Sequence, residues 1–151
     1  MKKILFLFSA FVFSMSVMAQ PKADDVIKLN TEKHDFGKIK QNVPVIYFFE
    51  IKNTSDKPVV IENAWGSCGC TIPEVPKEPI MPGNTTKMKV QYSAAALTAF
   101  EKDVYIKLAG IEAPKVVKIT GEVLEAAAYD SYVKEKSKDK EKEKPSKGGR
   151  K

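Results

Sequence analysis

The chain has 151 residues, a formal net charge of +6, a single histidine, a single tryptophan and only two cysteines. Its basic excess belongs to the ends of the chain. Residues 134–151 hold nine basic and four acidic side chains, whereas residues 20–133 hold 14 basic and 15 acidic ones. A domain that binds nucleic acid needs a basic face, so the neutral body argues against nucleic acid as a partner.

Residues 1–19 have the pattern of a signal peptide. Lys2 and Lys3 form a basic start, Ile4 to Val17 is almost entirely apolar, and Ala19 supplies the small residue before the cleavage site. The apolar run of ~14 residues is shorter than the roughly 20 that a membrane-spanning helix needs. We therefore expect an exported protein in the periplasm, at the outer membrane or outside the cell, without a transmembrane segment in the mature chain.

Short segments of alternating apolar and polar residues follow one another through the body, as is typical of β-strands. Turn residues separate them, most clearly Asn53 to Pro58. A proline-rich segment, residues 72–83, predicts an extended crossover along a sheet edge, because proline has no N–H for a central strand. A short helical turn is predicted for residues 94–100. The predicted strands are 26–29, a second piece that begins with the turn at 34–39, then 45–52, 59–65, 86–92, 104–108 and 116–123.

This spacing predicts an all-β, immunoglobulin-like β-sandwich of about seven strands over residues 26–124. The cysteine and tryptophan spacing of antibody domains is absent, so the core is expected to close without a disulfide between the sheets. Residues 125–133 are predicted to form a short helix. Residues 134–151 have no large apolar side chain to bury, so we expect a disordered Lys/Glu-rich tail. Such a tail either solvates the protein or adheres to an anionic envelope polymer or membrane surface.

The two cysteines lie in a short turn that follows Trp65. Cys68 and Cys70 must pair with each other in any intramolecular disulfide, and Gly69 suits the tight turn that would join them before Thr71. Strand 59–65 would place them at a strand end, with Val59, Ile61 and Trp65 on one face. Three interpretations stay open. The cysteines form a structurally minor disulfide or buried thiols, exchange disulfides in a redox reaction, or bind a soft metal such as Cu(I) or Zn.

No pattern of a catalytic site is found. His34 is the only histidine, and neighbouring residues on a strand point to opposite faces, so Asp35 is poorly placed to assist it. A histidine in a surface turn is the simpler interpretation. Paired carboxylates, a glycine-rich phosphate loop and a metalloprotease motif are missing. We therefore predict a protein that is not an enzyme and that has no cofactor or metal.

Several short motifs occur together in a recognisable order. They are residues 34–39, 51–54 with 57–58, 67–71, 80–83 and 121–123. In this order they resemble an exported bacterial family known as domain of unknown function 1573, which is similar to Hydin-like and PapD-like immunoglobulin folds. The resemblance covers Lys33 to Leu124. It implies an extracytoplasmic location and brings no established activity.

The leading hypothesis is an exported, non-enzymatic binding or structural module of the bacterial cell envelope. Its partner would be a protein or an envelope polymer. Strand edges and the loops at the end that carries Cys68 and Cys70 are the expected contact surfaces. The alternative is a small thiol redox or copper-handling protein that uses the same two cysteines. The oligomeric state does not follow from the sequence.

Overall fold

Two four-stranded β-sheets pack against each other in the computed structural model, which describes residues 21–142. The predicted signal peptide and residues 143–151 lie outside the described residues. The elements are α1 (Ala23–Val26), β1 (Ile27–Leu29), β2 (Lys33–Lys40), β3 (Val45–Asn53), β4 (Ile61–Gly66), β5 (Thr71–Glu74), β6 (Thr85–Tyr92), β7 (Ala99–Leu108), β8 (Lys115–Leu124) and α2 (Ala126–Lys142).

The strand order is β1-β3-β6-β5 in one sheet, here sheet A, and β2-β8-β7-β4 in the other, here sheet B. All neighbours are antiparallel except β2, which runs parallel to β8. The predicted immunoglobulin-like β-sandwich is confirmed. It has eight strands because β5 pairs with β6, although residues 72–74 are predicted to lie in an extended crossover. Pro73 is tolerated there because β5 is an edge strand.

The core lies between the sheets and follows from the alternation of the strands. In β3, Phe49 and Ile51 are fully buried, and their neighbours Phe48 and Lys52 face outward. Burying one such apolar side chain stabilises the fold by roughly 1.5–3 kcal/mol. The other strands add fully buried residues to the same core: Met88, Val90, Val104, Ile106, Leu108, Val117 and Ile119.

A β-bulge reverses the faces of β4. Its pairing with β7 shifts register between Ile61 and Asn63, and one extra residue moves every following side chain to the opposite face. Ile61 is therefore buried, whereas Trp65 points outward and is 40% exposed. The prediction that Trp65 shares a face with Val59 and Ile61 is wrong for this reason.

The prediction of a helical turn at residues 94–100 is also wrong. Residues 94–98 form a loop, and Ala99 already begins β7. Ala94 is fully buried in a left-handed conformation with φ 54°. Its carbonyl accepts a hydrogen bond from the Asn42 N–H (2.9 Å), and the Thr98 carbonyl accepts one from Val123 (3.0 Å). Tertiary contacts therefore set this backbone in place of local helical bonds.

Helix α2 is longer than the short helix predicted for residues 125–133. It extends to Lys142, and the disordered tail over residues 134–151 stays a prediction. Lysine and glutamate, which dominate residues 134–142, have high intrinsic helix propensity. Near its start, Asp130 pairs with Lys40 of β2 (3.0 Å). Neither helix in the described part combines the length and apolar character needed to cross a bilayer.

Candidate functional site

The turn between β4 and β5, residues 66–71, carries both cysteines and is here named the disulfide turn. It leads from β4, an edge strand of sheet B, to β5, an edge strand of sheet A. Cys68 and Cys70 are joined, with their Cα atoms 5.2 Å apart. Both are half-buried, and Cys70 packs against the core. The cysteines therefore lie where the edges of the two sheets meet.

Backbone hydrogen bonds hold the disulfide turn on the side of sheet B. Ser67 donates its N–H to the Asp103 carbonyl (2.8 Å), and the Asp103 N–H donates to the Ser67 hydroxyl (3.1 Å). Within the turn, the Thr71 N–H donates to the Cys68 carbonyl (3.1 Å). These bonds define the turn independently of the disulfide, whose closed loop encloses a single residue and so constrains the unfolded chain little.

The start of β5 crosses the end of β4 at close range. A Cβ atom built on Gly66 would lie 2.5 Å from the carbonyl oxygen of Thr71, whereas one built on Gly69 would meet nothing within 4 Å. Gly69 also lacks a positive φ; it suits the turn, but the backbone conformation does not require glycine there. The residue missed from the sequence is Gly66. A glycine that ends a strand pattern is the signal for such a close approach.

Thr71 is buried beneath the two sulfur atoms, with 3% of its surface exposed. Its hydroxyl lies 3.6 Å from the Cys68 sulfur and 4.0 Å from the Cys70 sulfur. On the side of sheet A, the Ser93 N–H donates to the Cys70 carbonyl (3.0 Å). The disulfide turn is thus packed and hydrogen-bonded on both sides.

Beside the disulfide turn, three side chains form a row across the outer face of sheet B, here named the aromatic row. Trp65 of β4 lies opposite Tyr105 of β7, which lies opposite Val116 of β8. The two aromatic rings are stacked, with centroids 5.4 Å apart and planes at 14°. Trp65 is 40% exposed and Val116 38% exposed. An apolar surface is therefore presented next to a turn of defined conformation.

Among residues 21–142, no three or more His, Cys, Asp or Glu side chains are grouped closely enough to hold a metal ion. Cys68 and Cys70 are bonded to each other in this structure. Metal binding through their thiolates would first require reduction of the disulfide.

The His34 ring packs against aromatic side chains. His34 is a half-buried residue of β2, and not a residue of a surface turn as predicted. Its ring stacks on Tyr47 of β3 (3.5 Å, 11°) and meets Phe36 edge-on (4.6 Å). Asp35 points elsewhere and accepts a hydrogen bond from the Gly37 N–H (2.9 Å). Burial lowers the pKa of His34, and the negative charge of Asp35 opposes this shift only in part.

Asn53 has a larger structural role than the turn residue predicted from the sequence. It is fully buried and donates its two amide hydrogens to the carbonyls of Lys57 and Ile80, both at 2.7 Å. Its side-chain oxygen accepts from the N–H and the hydroxyl of Ser55, both at 2.8 Å. The alternation of β3 contains the signal, because position 53 is the next inward position after Phe49 and Ile51.

A buried cation attaches the start of the domain to its last strand. Lys115, 9% exposed, lies 2.5 Å from both the Asp24 and the Glu32 carboxylates. Burial alone would lower the pKa of Lys115, but the hydrogen bonds to these carboxylates outweigh it, so that the pKa is raised. The lysine therefore stays charged and holds α1 and the β1–β2 connection against β8.

Comparisons with known proteins support the fold. A family model described as "Protein of unknown function (DUF1573)" matches residues 27–123. Among curated proteins, none matches the chain in sequence. A protein of unknown function from Porphyromonas gingivalis superimposes with a TM-score of 0.56 at 16% identity, over 64% of this chain and 46% of that chain.

Two further structures are similar. The ASH/PapD-like domain 7 of human CEP192 superimposes with a TM-score of 0.54 at 9% identity, over 67% of this chain and 87% of that domain. The Vibrio cholerae VesB protease superimposes with a TM-score of 0.52 at 12% identity, over 67% of this chain and 33% of the protease. The chain thus spans less than half the length of either bacterial protein. At these identities the likeness concerns the fold alone.

Proposed function

Because the chain belongs to the DUF1573 family of proteins of unknown function, we propose a function from its own surface: a non-enzymatic binding module of the bacterial cell envelope. The module recognises a partner protein through the aromatic row and the adjoining disulfide turn. The family match over residues 27–123 confirms the resemblance seen in the sequence motifs.

The observation that carries this proposal is the exposed stack of Trp65 on Tyr105. Tryptophan and tyrosine dominate the energetics of protein interfaces, because each buries a large apolar area with few rotatable bonds. In the free protein, 40% of the Trp65 surface contacts water. A partner that covers the aromatic row would gain from removing that surface from water.

The neighbouring disulfide turn supports the same proposal. Its hydrogen bonds to Asp103 and Ser93 and its disulfide restrict it before any partner arrives. A surface that is already ordered loses less conformational entropy on binding. Loops held by a rigid scaffold are also the usual positions of binding residues.

The envelope location rests on the sequence and on the disulfide. Residues 1–19 have the pattern of a secretory signal, and disulfides persist mainly in oxidising compartments such as the periplasm. The proposal is therefore a module that acts outside the cytoplasm.

Chemical crosslinking of the native envelope, followed by purification of the protein, tests this function. Trp65→Ala should lose the crosslinked partner, because truncation removes the largest side chain of the aromatic row. Leu97→Ala is the matched control: it truncates another exposed apolar side chain, 53% exposed, in the loop before β7. A partner that is retained equally by Trp65→Ala and wild type would overturn the proposal, provided both proteins have the same thermal midpoint.

A further inference from the structure

Strand β3 is longer than the strand beside it at the edge of sheet A. β1 pairs only with residues 51–53 of β3. Two hydrogen bonds then join Asn30 to Glu50. The Asn30 N–H donates to the Glu50 carbonyl (3.1 Å), and the Glu50 N–H donates to the side-chain oxygen of Asn30 (3.0 Å). The chain next crosses to β2 in sheet B. Within the described part of the chain, residues 45–49 therefore pair only with β6.

The side of residues 45–49 that faces away from β6 is here named the open β3 edge. Backbone groups of a strand point alternately to its two sides. Glu50 directs its N–H and carbonyl towards the β1 side, so Phe48 and Ile46 direct theirs to the same side. At these two positions β1 has already ended, and no neighbouring strand within residues 21–142 receives the groups. Their side chains stand on the outer face of sheet A and are 49% and 47% exposed. Among the described strands, backbone groups without a strand partner and exposed apolar side chains thus occur at one place.

The edge strands β5, β4 and β2 carry features that hinder pairing with a further strand. β5 contains Pro73, which has no N–H. β4 is interrupted by the bulge after Ile61, and β2 by the irregularity between Asp35 and Lys38. Prolines, bulges and charged edge residues are the usual protections against edge-to-edge association. Residues 45–49 contain no proline and no charged side chain and pair regularly with β6, although Pro44 directly precedes them.

We propose that the open β3 edge is a strand-addition site for an extended segment of a partner protein. The segment bonds the backbone of Ile46 and Phe48 and places alternate apolar side chains on the outer face of sheet A. Main-chain bonds favour an extended ligand of this kind, and the flanking side chains select its sequence. This site goes beyond the proposed function, because it lies on the other sheet and would exist without the aromatic row.

The charges beside the open β3 edge indicate the chemistry of the segment. On the outer face of sheet A, Glu50 pairs with Lys87 (3.4 Å) and Glu74 with Lys89 (3.1 Å). Lys28 and Lys52 lie directly opposite each other across β1 and β3. Like charges in a cross-strand pair are unfavourable. Glu50 lies between this pair and the open β3 edge, so a segment with an uncharged end fits there better than one that carries a carboxylate.

The length of the edge favours a partner segment over a second copy of this chain. At 3.4 Å per residue, residues 45–49 offer an edge about 17 Å long. Pairing along so short an edge covers far less than the roughly 800 Å² per partner of a stable protein interface. A short flexible segment needs only such an edge, whereas two folded domains need more.

Amide hydrogen exchange of the exported protein tests the proposal. The probe is a synthetic peptide of alternating valine and threonine. The control peptide has proline in place of the central valine. In the free protein the amides of Ile46 and Phe48 should exchange rapidly, and the probe should slow them about tenfold or more while the control peptide does not. The amide of Tyr47, which faces β6, should be slow throughout.

Two variants with the same added charge locate the site. Phe48→Lys should abolish the protection by the probe, whereas Ile72→Lys should keep it, because Ile72 is 53% exposed on the same face but lies on β5 at the far edge. Ile46→Pro, which removes one N–H from the open β3 edge, should also abolish it.

Any of three results would overturn the proposal. The first is protection of the Ile46 and Phe48 amides in the free, dilute protein. The second is protection that rises with protein concentration in the absence of the probe, which would assign the edge to a second copy. The third is failure of the probe to protect these amides in the wild type, or its retained effect in Phe48→Lys. None of these results bears on the aromatic row, so the two proposals fail separately.

Discussion

Gly66 and Thr71 cross so closely that a Cβ atom on Gly66 would lie 2.5 Å from the Thr71 carbonyl oxygen and 2.6 Å from the Thr71 Cβ atom. Both of these atoms belong to a buried residue that cannot move aside easily. The crossing brings the outer strands of the two sheets together and places the disulfide turn between them. The absence of a side chain at position 66 therefore has a direct structural reason.

Gly66→Ala is expected to destabilise the fold by about 1–3 kcal/mol, the usual cost of overpacking a filled site. Gly69→Ala is the matched control and should change the free energy of unfolding by less than about 0.5 kcal/mol, because space is open there. Urea unfolding of both variants measures the difference. Equal effects of the two substitutions would contradict the close crossing.

Asn53→Ala should cost about 2 kcal/mol or more, because it leaves the carbonyls of Lys57 and Ile80 and the Ser55 N–H without their buried partner. Asn84→Ala is the control. Asn84 contributes its backbone to the same region, and its side chain is exposed. Chemical denaturation compares the two. A loss in Asn53→Ala no larger than in Asn84→Ala would show that the buried amide is dispensable.

The free energy of unfolding should fall as the pH decreases from about 7 to 5, in part through His34. Its pKa in the folded protein is lowered by burial, so the unfolded chain binds a proton first. Stability therefore rises with pH in this range and is lost as the pH falls through the unfolded and then the folded pKa. His34→Phe keeps an aromatic ring against Tyr47 but cannot titrate.

Denaturation of wild type and His34→Phe at several pH values measures this contribution. The curve of the variant should be flatter between pH 7 and 5. Parallel curves for the two proteins would rule out His34 as a source of the pH dependence.

Replacing both cysteines, as Cys68→Ser with Cys70→Ser, should cost about 1 kcal/mol or less, because the closed loop is so short. The variant should also keep its crosslinked partner, since the hydrogen bonds of Ser67 and Thr71 remain. A redox or copper-handling protein would instead lose its activity with the sulfur atoms. Loss of the partner, in a variant that is folded by thermal denaturation, would favour that alternative.

Truncation after Val133 should leave the thermal midpoint unchanged. The contacts of α2 with β2 lie before this point, namely the Lys40 pair with Asp130 and the Lys38 ammonium 4.9 Å above the Tyr132 ring. The removed sequence has no large apolar side chain. A drop of several degrees in scanning calorimetry would show that the removed residues bind the body. Truncation before Asp130 serves as the comparison that does remove the contacts.

The alternation of apolar residues predicts most of this fold. β3 and β6 follow their sequence patterns almost to the residue, because each has one face on the core and one in water. The alternation does not predict the face on which Trp65 stands. A bulge adds a single residue, leaves no mark in the pattern and reverses the face on which Trp65 stands.

Other features depend on neighbours that are remote in sequence. Ala94 adopts its left-handed conformation through contacts with Asn42 and the surrounding core, and not through local propensity. For the candidate site, the sequence singles out the cysteines by their rarity. The roles of Gly66 and Tyr105 depend on contacts between β4, β5 and β7, which the sequence pattern does not show.

The parallel pairing of β2 with β8 also determines when the domain can fold. Among the described strands β2 pairs with β8 alone, and Lys115 at the start of β8 binds Asp24 and Glu32. A chain that is synthesised from its N-terminus presents β2 early and β8 last. The first long strand must therefore wait for the last one before sheet B can be completed. Contacts of such long sequence separation form slowly, so sheet B can be completed only after β8 has been synthesised.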